Sequence, residues 1–460
     1  MIPESLTPQS KSLQAVSDTS NGLRRELNLL DSTMINVGSI IASAIFIVPA
    51  SIAGHLPSTS MILLVWVLGG VVSLFGALSI AELGALMPRA GGQFVFLREI
   101  YSPLWGFLYG WSAFVVIISG SISAIAVAFA TYLAFFIPLD DTAIKTIAIA
   151  SILLLTVINC FGVKLGAWIQ NGFTFSKIAA LGLLILFSFM LSGGSLTNFQ
   201  PLLPADSLTS MLGPFGISMI AVLWAYDGWI EITFVAGEVK NPDHNVHRSL
   251  ILSTIIIIVL YLLINVAYVY VLSIEQLSQS TLVASDAATV IMGPAGASFV
   301  TLAVILSTFG ANNGYVFTGA RIYYAMAKEG VFFESLATVH PKYKTPIPSL
   351  LAQGGWACFL VLTGTYEQLF TYVIFASWVF YAMSCFGVFL LRKRWPNVHR
   401  PYKTWGYPYT PGLFIAFSFY LIANAIVENP RDSIIGAMMM VSGIPAYFYW
   451  RRKIKTDRHS

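Results

Sequence analysis

Charge is scarce in this sequence. Only 10% of its 460 residues are Asp, Glu, Lys or Arg, against about a quarter in an ordinary soluble protein. Cysteine is scarcer still: Cys160, Cys358 and Cys385 all sit in apolar surroundings and give no disulfide framework. The six histidines stand at helix ends or in loops. Only His244 and His247 are close enough in sequence to chelate, and a solvated loop accounts for them, so no metal site is expected. The first 27 residues are polar and Ser-rich without an apolar signal-peptide core. They are expected to form a disordered tail. No nucleotide loop, metal-ligand spacing or pair of acids near water is visible. Enzyme chemistry and a bound cofactor therefore find no support.

Apolar length is what the chain has in excess, 57% of its residues being hydrophobic. Uncharged runs such as 32–81, 100–139, 249–274 and 287–320 can each cross ~30 Å of hydrocarbon at ~1.5 Å per residue. The first run is long enough for two crossings, and Gly54, Pro57 and Ser58 interrupt it. The pattern predicts twelve helices, at about 32–53, 60–86, 105–137, 142–163, 167–191, 211–238, 249–273, 295–327, 347–364, 366–391, 406–427 and 433–451. The whole is expected to be an all-α membrane protein, with a twelve-helix body over 28–452, an N-terminal tail over 1–27 and a C-terminal tail over 453–460.

Basic residues orient such a chain. With both termini in the cytoplasm, only Lys145 and Arg431 fall in outer loops and Lys177 falls inside a span; the other 22 of 25 face inward. The +4 net charge thus reports topology and gives no sign of nucleic-acid binding. The lipid bilayer is the expected surrounding, and the cell membrane the expected location. Short helices are expected in the loop 88–103, with its amphipathic run Phe94–Arg98, and in the connection 328–346. If the first five spans (32–191) repeat in the next five (211–391), the odd number makes the two halves inverted. Spans 11 and 12 then lie outside the repeat. In that repeat the loop 88–103 corresponds to the loop after span 7.

Matched spans 1 and 6 have the most irregular interiors, Asn36 to Phe46 and Trp224-Ala225-Tyr226-Asp227-Gly228-Trp229. Interrupted helices in matched positions point to a transporter's binding site. Unwound backbone must face protein, water or a ligand, because lipid offers it no hydrogen bonds. The half-helix that starts after a break turns N–H groups and its positive dipole end inward, which suits a carboxylate. The half-helix ending before the break offers carbonyls, which suit an ammonium. A free amino acid carries both groups on one carbon.

Several motifs in order resemble the L-type amino acid transporter family of the amino acid–polyamine–organocation superfamily, over about residues 24–452. Span 1 reads Val37-Gly38-Ser39-Ile40-Ile41-Ala42-Ser43-Ala44-Ile45-Phe46 followed by Pro49; span 6 carries 224–229 and then Gly237-Glu238-Val239-Lys240-Asn241-Pro242. Ala81-Glu82-Leu83-Gly84, Ser307-Thr308-Phe309-Gly310-Ala311-Asn312-Asn313-Gly314, and Arg400-Pro401-Tyr402-Lys403 with Trp405-Gly406-Tyr407-Pro408 complete the match. The resemblance implies a LeuT-type 5+5 inverted repeat with discontinuous helices 1 and 6, working as a sodium-independent exchanger of small or medium neutral amino acids. It puts the substrate carboxylate on the backbone at Ser43 and Ala44, and the amino group on carbonyls near Ile40 and Trp224. Ala225 and Asp227 belong to the same site, and the Trp224 ring closes over it. The family's glycines at 42 and 44 are alanine here. Each adds a methyl where glycine permits close backbone approach and positive φ. The family places a lysine at Lys177 where sodium-coupled relatives hold an ion, with Ser307 nearby. Animal relatives join a glycoprotein subunit through a cysteine after span 3. That loop is Pro138-Leu139-Asp140-Asp141-Thr142 here, so no disulfide-linked partner is expected.

Other intramembrane polar residues leave alternatives open. Lys177 either replaces the ion or snorkels to the interface from a span that begins later. Asp227 is a ligand or gate residue, or else a cap for the break. If the helix resumes by Asp227, Glu231 shares its face; it attracts a cationic side chain, binds a proton, or faces water. Glu82 is expected to pair with Arg89 or a neighbouring helix. Asn312 and Asn313 read as interhelical hydrogen bonding. Phe375 and Trp378 either line the site or pack. A proton-coupled symporter or a carrier of cationic amino acids or amines is the alternative function. A channel lacks the expected run of pore-lining polar residues, and a sensor the expected appended soluble domain.

Overall fold

The computed structural model describes residues 23–191, 193–204, 210–363, 366–428 and 430–457. Most of the expected N-terminal tail (1–22), and residues 458–460 of the C-terminal one, lie outside the described residues. Among the described residues there are helices and no strands, apart from one isolated bridge between Leu27 and Val239.

The chain enters its first helix through a capping box. The Asn28 side chain accepts from the Asp31 N–H, and Asp31 returns the bond to the Asn28 N–H. Helix α1 (Leu29–Ile40) follows, then α2 (Ala44–His55), α3 (Thr59–Leu86), the short α4 (Gln93–Ile100) and α5 (Pro103–Leu133), which contains a π-turn at Ala113–Ile117. Helices α6 (Asp141–Cys160) and α7 (Val163–Met190) close the first half. The second half opens with α8 (Leu212–Tyr226) and the one-turn α9 (Glu231–Phe234), followed by α10 (Pro242–Val271) and α11 (Ile274–Gln279). It continues through α12 (Val283–Lys328), α13 (Ile347–Thr363) and α14 (Tyr366–Arg394). Last come α15 (Tyr409–Glu428), α16 (Pro430–Val441) and α17 (Gly443–Asp457).

Ten helical stretches among the described residues are long and apolar enough to cross a membrane, and α8 and α13 are shorter apolar helices. With this pattern the protein is a multi-pass membrane protein. Large apolar residues face outward along stripes such as Leu252, Ile255, Val259 and Leu263 on α10, the three-and-four spacing of one helix face. Polar side chains turn inward: Ser43, Lys177, Asp227, Glu231, Ser307 and Asn313 are all buried.

Several boundaries differ from the sequence pattern. Helix α12 begins at Val283 rather than near 295, because two helices meet at Gly293, whose φ is +70, just before Pro294. Proline lacks an N–H and crowds the preceding turn, so the kink falls there. The last expected span is broken at Ser442 between α16 and α17. Helix α17 runs to Asp457, into the stretch expected as a C-terminal tail. The ordered body also begins before residue 28. The N–H groups of Glu26 and Leu27 donate to the Glu238 carbonyl at 2.8 and 3.0 Å, and the Lys240 N–H donates to Leu27. The expected short helices take the form of α4 and a 3-10 turn, Glu334–Ala337. The loop that the repeat pairs with 88–103 holds α11.

Candidate functional site

Two interrupted helices meet at the centre. Between α1 and α2 the chain leaves helical geometry over Ile41–Ser43, with Ile41 at φ −73 and ψ 80. Neither Ala42 nor Ala44 has a positive φ, so the break forms without the glycines that the motif has elsewhere. Between α8 and α9 the break runs from Asp227, which is extended, through Gly228 at φ +105. A Cβ on Gly228 would stand 3.1 Å from the Ile40 nitrogen and the Ser39 carbonyl carbon. Here glycine is required twice over, for its φ and for the backbone it touches. The first break is tied to the second through Asn36, whose side-chain Oδ1 accepts the Ile232 N–H at 2.9 Å and whose Nδ2 donates to the Ser253 hydroxyl at 3.2 Å.

Helix α1 ends in carbonyls that have no partner within the helix, and other helices supply donors for them. The Lys177 ammonium donates to the carbonyls of Gly38 at 2.6 Å and Ile41 at 2.9 Å. The Ser307 hydroxyl donates to the same Ile41 carbonyl at 3.1 Å. Lys177 stands midway along α7, 1% exposed, so its side chain runs to the break and not to an interface. Gly310 leaves it room, since a Cβ there would lie 3.3 Å from the lysine Cε. The Ile40 carbonyl, expected to face a substrate amino group, accepts from the Tyr261 hydroxyl at 2.9 Å and the Ala42 N–H at 2.8 Å. A substrate ammonium would therefore have to displace or share that phenol. Ser43 precedes α2, and Ala44 heads it.

On the second break, the Trp224 carbonyl accepts the Asp227 N–H at 3.2 Å. The Tyr381 hydroxyl donates to the Asp227 carboxylate at 2.8 Å, and the Tyr315 hydroxyl reaches it as well. Asp227 and Glu231 do not share a continuous helical face: α8 stops at Tyr226, α9 begins at Glu231, and Gly228 turns the chain between them. The Glu231 carboxylate accepts a hydrogen bond from the Thr318 hydroxyl of α12. Among the described residues no lysine or arginine pairs with Asp227 or Glu231. Ile40, Ser43, Ala44, Trp224, Ala225 and Asp227 are all buried. Trp378 stacks on Phe414 at 5.1 Å and meets the edge of Tyr381 at 6.1 Å. That puts it behind the tyrosine that holds Asp227. Phe375 packs towards Gly436. Asn313 bridges Gln170 and Asn159 at 3.0 and 2.8 Å, whereas neither amide atom of Asn312 has a protein partner.

Two ionic clusters close one end of the helices. Glu238 and Arg321 form a pair at 2.7 Å with both side chains fully buried; the guanidinium also lies over the Phe317 ring. Glu82 binds Arg392 at 2.6 Å, Arg400 at 3.2 Å and the Thr404 N–H at 2.7 Å, joining α3 to the Arg400–Pro408 motif. Of the two expected partners the neighbouring helix holds, through Arg392 of α14, while Arg89 pairs with Glu99. Tyr261, Tyr315 and Tyr381 were not legible as site residues, because tyrosine in an apolar span looks like packing. The Glu238–Arg321 pair was not legible either, its partners standing 83 positions apart.

Comparison with known proteins gives the family. A family model described as amino acid permease matches residues 27–449. The serine/threonine exchanger SteT of Bacillus subtilis is 32% identical over 438 residues, covering 94% of this chain and 98% of that protein. The b(0,+)-type amino acid transporter 1 of Mus musculus is 31% identical over 445 residues, with 95% and 90% covered. The Asc-type amino acid transporter 1 of the same species is 32% identical, with 94% and 83% covered.

Proposed function

The chain belongs to the amino acid permease family, in its L-type amino acid transporter branch, and from that premise we propose that it is a sodium-independent exchanger of small or medium neutral L-amino acids. Amino acid transport follows from the family, which is one of transporters and not of enzymes. Exchange by alternating access, substrate size and independence from sodium are the reading offered here. One observation carries it: the buried Lys177 ammonium on the carbonyls of Gly38 and Ile41. A cation built into the protein at the end of α1 removes the need for a dissolved one, and Ser307 shares its acceptor. With no ion gradient to drive net uptake, the return step is driven by a second amino acid. The printed name of the Bacillus relative, an exchanger, agrees.

In this reading the substrate carboxylate meets the first N–H groups of α2, at Ser43 and Ala44. Its amino group meets the carbonyl ends of α1 and α8, Ile40 and Trp224, with Tyr261 moving aside. Ala225 and Asp227 complete the site, and the Trp224 ring gates it. Twelve spans in a LeuT-type 5+5 arrangement hold these parts, α8 and α13 counting as spans. The protein resides in the cell membrane with both termini cytoplasmic and needs no disulfide-linked partner.

Glu231 favours a second reading. A buried carboxylate facing a threonine, with no cation paired to it among the described residues, suits either a proton or a cationic substrate group. The test is uptake into proteoliposomes. Uptake of labelled serine or alanine should need internal amino acid and ignore external sodium. Uptake into empty vesicles driven by an inward proton gradient, and lost in Glu231→Gln, would move the assignment to a proton-coupled carrier.

A further inference from the structure

The membrane face proposed as cytoplasmic holds a cleft of about 290 Å³ that the transport reading does not use. Three separate segments line it: Arg24 and Glu26 from the N-terminal stretch, Lys164 from the start of α7, and Lys342 and Lys344 from the connection between α12 and α13. Four cations face one carboxylate. Among the described residues none of the four forms an ion pair.

The walls are built and not incidental. The Thr345 hydroxyl donates to the Cys160 carbonyl at 2.8 Å, fastening the connection to the end of α6. The His340 ring accepts the N–H groups of Lys342 and Tyr343 at 3.3 and 3.2 Å. Tyr343 stacks on His340 and meets the edge of Phe161. Lys344 is held at φ +55, a conformation that side-chain-bearing residues adopt sparingly.

Depth identifies the occupant. Trp168, four residues beyond Lys164 on the same face of α7, is 75% exposed, and Phe161 at the rim is 51% exposed. Aromatic rings left outside in this way collect at headgroup level. From there Leu153, Leu154 and Val157 of α6 and Phe175 of α7 continue an exposed apolar surface away from the cleft. A phospholipid would use both the cations and that adjoining lipid-facing surface, whereas a soluble anion would use the cations alone.

We propose that this cleft binds the phosphate-bearing headgroup of an anionic phospholipid, with the acyl chains lying along the exposed faces of α6 and α7. The lysines and Arg24 neutralise the phosphate, each basic group near an anionic lipid contributing about 1 kcal/mol. Because Arg24 and Glu26 belong to the stretch whose backbone docks on Glu238, a bound headgroup also holds that stretch in place. The inference rests on the membrane placement and not on the substrate.

The experiment measures binding of fluorescent phosphatidylglycerol to the purified full chain in nonionic detergent, with inorganic phosphate and phosphatidylcholine as competitors. Wild type should bind phosphatidylglycerol and release it to neither competitor at equal concentration. The triple variant Lys164→Ala, Lys342→Ala, Lys344→Ala should bind at least about tenfold more weakly. The triple arginine variant should keep the affinity and guards against misfolding as the cause. Unchanged binding in the alanine variant would sink the site, and equal competition by inorganic phosphate would make it a soluble-anion site instead. Exchange assayed with the same preparation reports separately on the transport reading.

Discussion

Gly228 turns the chain at φ +105 with the backbone of Ser39 and Ile40 against it, while the break after Ile40 uses no positive φ. The methyl groups of Ala42 in the break and Ala44 at the head of α2 thus fit, and of the two breaks only the second needs glycine's freedom, at 228. This much was partly visible: both interrupted segments stood out by their motifs, but which glycine did the turning did not. Lys177 was equally ambiguous in sequence, because its depth depends on where the helix starts. The start at Val163 settles the depth, and two carbonyl partners give the ammonium its place. Lys177→Met keeps most of the volume and removes both charge-assisted bonds, worth roughly 1.5–3 kcal/mol each. We expect exchange to fall by at least about tenfold while size-exclusion behaviour in detergent stays that of wild type. Normal exchange in this variant would reduce the lysine to a packing role.

Between elements, the cytoplasm-assigned ends of the helices are joined by charges as well as by buried apolar residues such as Leu27, Phe94 and Val239. Glu238 shows the linkage most clearly. Its carbonyl receives the N–H groups of Glu26 and Leu27, and its carboxylate receives Arg321 of α12. One residue thereby connects the N-terminal stretch, the end of the sixth expected span and the eighth. Sequence alone hid this, because pairing across 83 positions leaves no local pattern. With both side chains fully buried, removing one partner strands the other charge, which destabilises by about 3–5 kcal/mol. Arg321→Gln should therefore lower the melting temperature in detergent markedly. The double variant Arg321→Gln, Glu238→Gln should recover part of the loss, because neither amide is a stranded charge. A double variant no better than the single would mean that the pair contributes through packing around Arg321 and Phe317 instead.

For the whole molecule, the pattern of apolar runs and the one-sided distribution of lysine and arginine were the most legible features, since both follow from the bilayer and need no tertiary knowledge. The helix ends alternate accordingly. Cys160 meets Thr345, Leu27 meets Val239 and Glu82 meets Arg392 at one face; at the other, Ser195 meets Tyr270 and Thr59 meets Pro201. Which face is the cytoplasm is a proposal that rests on the basic residues. Lys164, Lys240, Lys342 and Lys344 belong to the first group of ends, Lys145 to the second. Leu196, 78% exposed, and His244, exposed at the start of α10, mark the two faces with little structural consequence. In a background lacking the three native cysteines, Leu196→Cys should react with a membrane-impermeant maleimide on intact cells, and His244→Cys only after permeabilisation. The reverse pattern would turn the molecule over. It would also move the cationic cleft, with Arg24, Lys164, Lys342 and Lys344, to the outer leaflet, where the anionic lipids it is built to hold are scarcer.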